Sequence, residues 1–361
     1  MPIDAAKVAF MSAVCKRSVA ADEGGHLDMN RVPPETRLTI LASHKLGHVM
    51  QCEAVARALG LVPDIRPVRP RALFRLFAPS GPPDWRDLGN RPDAALREPY
   101  PDIALASGRE TVPYLRSLKK RSPQTFCIYM GDPRTSHGIF DLIALPDHDD
   151  YRAGNVTTFL TTPHPRDEAT LEDARQRPDS RVAALKQPRI AMLLGGPSAN
   201  YTFEPADIVA IAGIAQTALS SGASIMVSVS RRTPATLTEK ISAAIAQAGV
   251  DQSRAFIYDS SGANPYVSML ALADTIVVTA DSVNMIGEAV STGKPVYLYE
   301  PTGHAGKFMH LLGQLTARHA IRRWEGKFES WTYTPVNSTP AVAAEIAARY
   351  LAFRAKTLSG S

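Results

Sequence analysis

Cysteine is scarce in this chain, and what there is has no organisation. Cys15, Cys52 and Cys127 are odd in number and widely separated, so neither a disulfide framework nor a thiolate metal site is expected. A reducing cytoplasm fits that usage. No apolar run approaches the ~20 residues that cross a bilayer, and residues 1–20 lack the continuous apolar core of a secretion signal. A soluble cytoplasmic protein is therefore expected, at most peripheral to the inner membrane. Aromatic–basic platforms, zinc-finger spacing and a recognition helix are missing, which argues against nucleic acid as a partner. Both the Walker A loop and the Gly-x-Gly-x-x-Gly fingerprint are missing too, so any nucleotide must be held by other loops.

Charge of either sign is not in large excess. The net charge of +5 over 361 residues tilts the protein towards phosphates or an anionic surface without demanding a polyanion. The 45% apolar content is that of a folded protein, and the length suits two domains.

The expected fold class is α/β: two doubly wound, Rossmann-like domains facing a cleft, with a trailing C-terminal helix. Residues 1–35, ending in Val32-Pro33-Pro34, read as an arm. Residues 36–185 form a first α/β domain, with strands expected at Arg37 to Ser43, Asp102 to Ala106, Thr125 to Tyr129 and Asp141 to Leu145. Its polar final stretch carries a charged helix over Glu168 to Gln176. Residues 186–335 restart with Arg189 to Leu194 and alternate helix and strand, which implies a mostly parallel sheet covered on both faces. Residues 336–361 supply a last helix, expected to pack back towards the first domain.

Six loops carry chemistry-bearing residues, and each follows an expected strand, at the edge where open α/β sheets bind ligands. Thr279 to Val296 reads as strand end, polar turn, helix, glycine stop and strand, with Asp281 and Ser282 as N-caps, Asn284 in the first turn and Glu288 about two turns inward. Free N–H groups and the helix dipole there form a seat for phosphate, and Glu288 has the chemistry to accept hydrogen bonds from a ribose. Gly195 and Gly196 permit close backbone approach, with Ser198 and Asn200 adding polar groups. In Ser230-Arg231-Arg232-Thr233-Pro234, two arginines at a helix start have the wrong sign for the dipole and make sense beside an anion. Asn264 precedes Pro265 and either caps a helix or meets a base. His304 and Lys307 lie in the loop after the next strand. In Ser43-His44-Lys45-Leu46-Gly47-His48, Gly47 allows a substrate to approach and His48 is a candidate general base; a solvated histidine is the bland alternative.

Two further stretches have ordinary readings. Asp147-His148-Asp149-Asp150 is the only metal candidate, and a capped turn or an inter-domain contact is the favoured reading, so no metal is expected. In Arg66 to Phe77, core packing of the aromatics with arginines reaching outward is the favoured account, and peripheral contact with anionic lipid is the alternative.

In order and kind, the motifs of the second half resemble the nucleotide-binding domain of GT-B glycosyltransferases. More closely, Lys45 to Gln51, Gly195 to Pro197, Ser230 to Pro234, Asn264 to Tyr266, Val278 to Val283 and Thr292 to Val296 are similar to motifs of the mitochondrial-fission Elm-like family, a plant and bacterial group with GT-B-like character. The resemblance runs from about Thr36 to Leu312. It implies a nucleotide-diphosphate sugar as donor, with no separate cofactor. Ser282 would then stand at the phosphate-binding helix start, Glu288 as the ribose-binding carboxylate and His48 as the histidine after the glycine turn, although the first turn has one glycine where those enzymes have several. The function expected is a metal-independent glycosyltransferase acting on an unknown acceptor, for example a lipid-linked one, in envelope glycan or glycolipid assembly. A non-catalytic nucleotide-sugar-binding or adaptor protein is the alternative, since plant members are linked to mitochondrial division. A sugar-nucleotide epimerase of related layout is a third reading, without an identified base.

Overall fold

A computed structural model describes residues 31–359, apart from 252 and 260. Cys15 and the expected arm up to residue 30 lie outside the described residues. By packing, the chain divides into two units: the described residues up to Pro165 together with those from Ser338, and Arg166–Asn337.

The first unit is built on six parallel strands, β1 (Leu38–Ala42), β2 (Asp64–Pro67), β3 (Ile103–Ala106), β4 (Phe126–Met130), β5 (Leu142–Pro146) and β6 (Val156–Phe159), in the order β2-β1-β3-β4-β5-β6. The central strands are buried throughout, and apolar but for Thr39 of β1, because helices cover both faces. Period-two alternation sorts their side chains. Ile40, Leu105 and Ile128 meet helix α1 (Leu46–Ala58) and the C-terminal helix Thr339–Ser359. Leu41, Ala104 and Tyr129 meet the layer that holds α3 (Val112–Arg121), reached after the short α2 (Ala72–Phe77). Edge strands β2 and β6 escaped the sequence pattern because they are short and partly polar.

The C-terminal helix completes this unit through buried Val342, Ile346 and Tyr350. Its entry is fixed by Ser338 Oγ, which accepts the Thr161 N–H at 3.1 Å, and Thr339 Oγ1, which accepts the His164 N–H at 3.0 Å.

Arg66 to Phe77 departs from the favoured expectation. Arg66 does not reach outward: it is buried, bonded to Asp64 and to the carbonyls of Arg97 and Pro99. Of the apolar side chains in α2, Phe74 packs inward, whereas Leu73, Leu76 and Phe77 are exposed. Six residues make less than two turns, too few to bury a second face.

The second unit also has six parallel strands, β7 (Arg189–Leu194), β8 (Ser224–Val229), β9 (Ala255–Tyr258), β10 (Thr275–Thr279), β11 (Val296–Tyr299) and β12 (Arg322–Arg323), in the order β12-β11-β10-β7-β8-β9. Counted from β7, this is the 3-2-1-4-5-6 order of dinucleotide-binding folds. Its helices are α4 (Glu168–Gln176), α5 (Ser180–Ala183), α6 (Pro205–Ser220), α7 (Ala235–Gln247), α8 (Tyr266–Leu272), α9 (Val283–Val290) and α10 (Met309–Ala317). Ile211 and Ile214 of α6 and Leu237 and Ile241 of α7 cover Met192, Leu194 and Val227 of the sheet.

The charged helix over Glu168 to Gln176 belongs to this second unit, not to a first domain ending at 185. Leu171 and Ala174 bury its inner face, and the segment that follows is tied to α8, where Ser268 Oγ accepts the Asp179 N–H at 3.0 Å.

Ile346→Ala removes a fully buried side chain from the C-terminal helix, and a loss of about 2–5 kcal/mol is expected in urea unfolding of the first unit. Val209→Ala, at an exposed position, serves as the neutral control. An unchanged midpoint for Ile346→Ala would mean that the helix contributes nothing to this core.

Candidate functional site

In the second unit the strand order reverses between β7 and β10, so the loops leaving these strands mark the expected ligand edge. Asp281, in the loop after β10, does not cap α9. Its fully buried carboxylate turns back towards β7 and accepts from the Gly196 N–H at 3.0 Å, Thr279 Oγ1 at 2.7 Å and Arg232 Nη2 at 3.0 Å. Thr279 Oγ1 in turn accepts the Gly195 N–H at 2.8 Å.

The paired glycines admit the protein itself. A Cβ on Gly195 would lie 2.1 Å from Asp281 Oδ2, and one on Gly196 would lie 2.0 Å from the Arg232 carbonyl oxygen. Arg232 also donates through Nη1 to the carbonyls of Gly196 and Pro197, both at 2.9 Å. It is therefore a structural cation that neutralises Asp281. Arg231 is exposed and has no protein partner among the described residues.

Neighbouring loops are tied to the same edge. Asn200 Nδ2 donates to the Ala305 carbonyl at 3.0 Å and the His304 N–H to the Asn200 carbonyl at 3.1 Å, joining the Gly195 loop to the loop that carries His304 and Lys307. Ser198 Oγ accepts the N–H groups of Asn200 and Tyr201, so it shapes its own turn. His304 Nδ1 accepts the Gly306 N–H, and both His304 and Lys307 are exposed.

At the start of α9 the first intrahelical bond runs from the Ile286 N–H to the Ser282 carbonyl at 3.1 Å. The N–H groups of Val283, Asn284 and Met285 are thus the orphans of the first turn. Ser282 occupies the N-cap without a side-chain cap bond, and Asn284 is exposed. These groups and Arg231 are without a hydrogen-bond partner among the described residues, and the Lys307 ammonium meets only the Phe308 ring, at 5.6 Å.

Two expected contacts are committed elsewhere. Glu288 is only 8% exposed; its Oε2 accepts from Tyr266 Oη at 2.7 Å, and its Oε1 lies 3.5 Å from Arg166 Nε. Burial raises the Glu288 carboxyl above its ordinary range, against the pull of Arg166 and Tyr266. Asn264 Oδ1 accepts the Tyr266 N–H at 3.0 Å, a local turn one residue before the helix; the N-cap is Pro265 and not Asn264, because the helix begins at Tyr266.

The first unit has its own cluster where β1 and β3 end. Glu110, buried beyond β3, accepts from the His44 N–H at 2.9 Å, and its Oε1 lies 2.6 Å from His44 Nδ1. The His44 imidazole is 62% exposed. A carboxylate on Nδ1 assigns the proton there and leaves Nε2 as the free lone pair. His48 is more enclosed: Nδ1 lies 3.2 Å from Ser43 Oγ, and a Cβ on Gly108, which has φ +100°, would meet that nitrogen at 2.6 Å. Burial, together with Lys45 and His44, lowers its pKa, with Glu110 acting the other way. Gly47 lies exposed in the first turn of α1. The pair His44–Glu110 was missed because its members are 66 positions apart. Their only shared signal is a place after neighbouring strands.

Among the described residues no three His, Cys, Asp or Glu side chains gather as a metal site requires. At Asp147 to Asp150 the Asp149 N–H donates to the Pro146 carbonyl at 3.0 Å, closing a turn. Among the described residues no helix is long and apolar enough to cross a membrane. Gly195→Ala should destabilise the second unit by about 1–3 kcal/mol, because its methyl group displaces a buried carboxylate. Gly313→Ala, in open helical surroundings, should be neutral or stabilising by up to about 1 kcal/mol. Equal melting temperatures for the two variants would contradict the packing at Asp281.

Residues 46–350 match the family model described as mitochondrial fission ELM1. The mitochondrial fission protein ELM1 of Arabidopsis thaliana is 30% identical over 290 residues, which cover 73% of this chain and 67% of that protein. An uncharacterised protein of Rickettsia prowazekii is 28% identical over 284 residues, covering 67% of this chain and 78% of its own. Among solved structures, the UDP-GlcNAc 2-epimerase of Methanocaldococcus jannaschii aligns over 88% of this chain and 99% of its own, with a TM-score of 0.51 at 10% identity, a likeness of fold alone. On the family match and the plant relative together, this chain belongs to the mitochondrial fission ELM1 family.

Proposed function

We propose that the second unit binds the diphosphate of a nucleotide sugar at the start of α9, and that the protein transfers the sugar to an acceptor hydroxyl without using a metal ion. The observation that carries this reading is the set of unengaged groups where the strand order reverses: the first-turn N–H groups of α9, Ser282, and the unpaired Arg231. Asp281 does not oppose an anion there, because Arg232 and the Gly196 N–H already compensate its charge. Helix N-terminus and guanidinium together neutralise a departing diphosphate, the work a divalent cation does in other sites. The same fold in an enzyme of UDP-GlcNAc supports a nucleotide sugar as the ligand class.

In this reading His44 is the base. Its Nε2 takes the proton of the acceptor hydroxyl; the acceptor oxygen bonds to the anomeric carbon as the bond from that carbon to the diphosphate oxygen breaks, and the electron pair leaves with the nucleoside diphosphate. Glu110 fixes the tautomer and stabilises the imidazolium that forms. His48 is the competing base. Its bond to Ser43 and its contact with Gly108 favour a role in holding the turn. Glu288 is proposed as the ribose contact through whatever acceptor capacity Tyr266 and Arg166 leave it.

A thermal-shift panel of nucleoside diphosphates and their sugars, followed by donor turnover, tests the reading. At least one nucleotide should stabilise the protein, and Arg231→Gln should weaken it by at least about tenfold. His44→Ala should lower turnover by about 10²–10⁴-fold with little change in donor affinity, and His48→Ala by much less. The opposite ranking returns the base to His48. Binding without turnover leaves the adaptor reading, an isomerised sugar leaves the epimerase reading, and no stabilisation by any nucleotide sinks the proposal.

A further inference from the structure

Four of the ten large apolar side chains that stand exposed in the described chain fall within residues 73–85, so they form a patch and not a scatter. Leu73, Leu76 and Phe77 are 61%, 70% and 59% exposed and share the outer face of α2 at i, i+3, i+4 spacing, and Trp85 is 64% exposed beside them. Phe74 anchors the patch from beneath: its ring meets Trp85 edge-to-face at 5.0 Å, and the Arg71 guanidinium lies 4.3 Å from the Trp85 ring while paired with buried Asp84. The tips are therefore held outward on a fixed base.

Five arginines and one aspartate lie between residues 66 and 86. That aspartate, Asp84, is already neutralised within the fold by Arg71 and Arg86, whereas Arg69 and Arg75 are exposed and have no side-chain partner among the described residues. Arg66 is likewise paired with Asp64, so the surface offers protruding leucine and aromatic tips beside two uncompensated arginines, Arg69 and Arg75.

We infer that α2 and Trp85 form a docking surface for an anionic lipid bilayer, with Leu76 and Phe77 entering the acyl boundary and Arg69 and Arg75 meeting headgroup phosphates. Charge complementarity selects this occupant. A second copy related by a twofold axis would set the same arginines against each other, whereas an anionic leaflet attracts each of them and gains from the buried apolar tips. The inference is independent of the nucleotide-sugar reading, since no residue is shared between them.

Sedimentation of the full chain with phosphatidylglycerol-rich and with pure phosphatidylcholine vesicles tests it. Binding to the anionic vesicles, weakened by added salt, is expected. Arg69→Gln with Arg75→Gln should lower the partition coefficient by about 25-fold, on the order of fivefold per arginine. Leu76→Ser with Phe77→Ser should remove most of the remainder, while Val209→Ser leaves it unchanged. All four positions are exposed, and unaltered melting temperatures confirm intact folding. Trp85 reports directly: vesicles should blue-shift emission in the wild type and leave Trp85→Phe unchanged. Absence of binding to anionic vesicles, binding indifferent to both double variants, or a dimer in solution that Leu76→Ser with Phe77→Ser dissolves would overturn the inference.

Discussion

The loops of the second unit where its strand order reverses depend on one buried carboxylate. Asp281 sits between the two strands where the sheet reverses its order and draws three donors onto itself: the Gly196 N–H, Thr279 Oγ1 and the Arg232 guanidinium. A fully buried carboxylate that loses a donor costs about 1–3 kcal/mol or more, so the loops after β7, β8 and β10 are fixed relative to one another by this group. Glycine at 195 and 196 follows from it, because any side chain there would occupy the space of Asp281 or of the Arg232 backbone.

That constraint divides a set of similar-looking residues into two kinds. Gly195, Gly196, Arg232 and Asp281 are consumed in building the edge, and Ser198 and Asn264 in shaping their own turns. Ser282, Asn284, Arg231, Lys307 and the first N–H groups of α9 are not spent in this way and are the groups proposed to meet a ligand. Two arginines adjacent in sequence thus have opposite fates: one neutralises the fold's own anion, and its neighbour is free for another. The first unit shows a similar economy, with Glu110 buried so that His44 can be exposed in one tautomer.

Much of the fold was legible because it is written locally. The run from Thr279 to Val296 reads correctly as strand, turn, helix and strand, since apolar continuity, a polar entrance and Gly293 all lie within one window. Fold class and family followed from several such windows in order. The extent of α4 was legible too, but its owner was not: Leu171 and Ala174 show that one face is buried without saying against what. Strands β2 and β12 are too short and polar to announce themselves. At the site the illegible part is tertiary pairing. Nothing local to Asp281 shows that it meets an N–H 85 positions away, nothing near Glu110 points to His44, and nothing in Arg66 to Phe77 says which side faces water.

The central claim is that the entrance of α9 is a diphosphate site. The direct measurement is an amide-resolved NMR titration with nucleoside diphosphates, following Val283, Asn284 and Met285 at the helix start and Arg231 in the loop after β8. The account predicts saturable shifts confined to these amides and their loop neighbours, with a smaller response to the nucleoside lacking phosphate. Unmoved amides at 283–285 under saturating nucleotide, or shifts that cluster away from this edge, would contradict it.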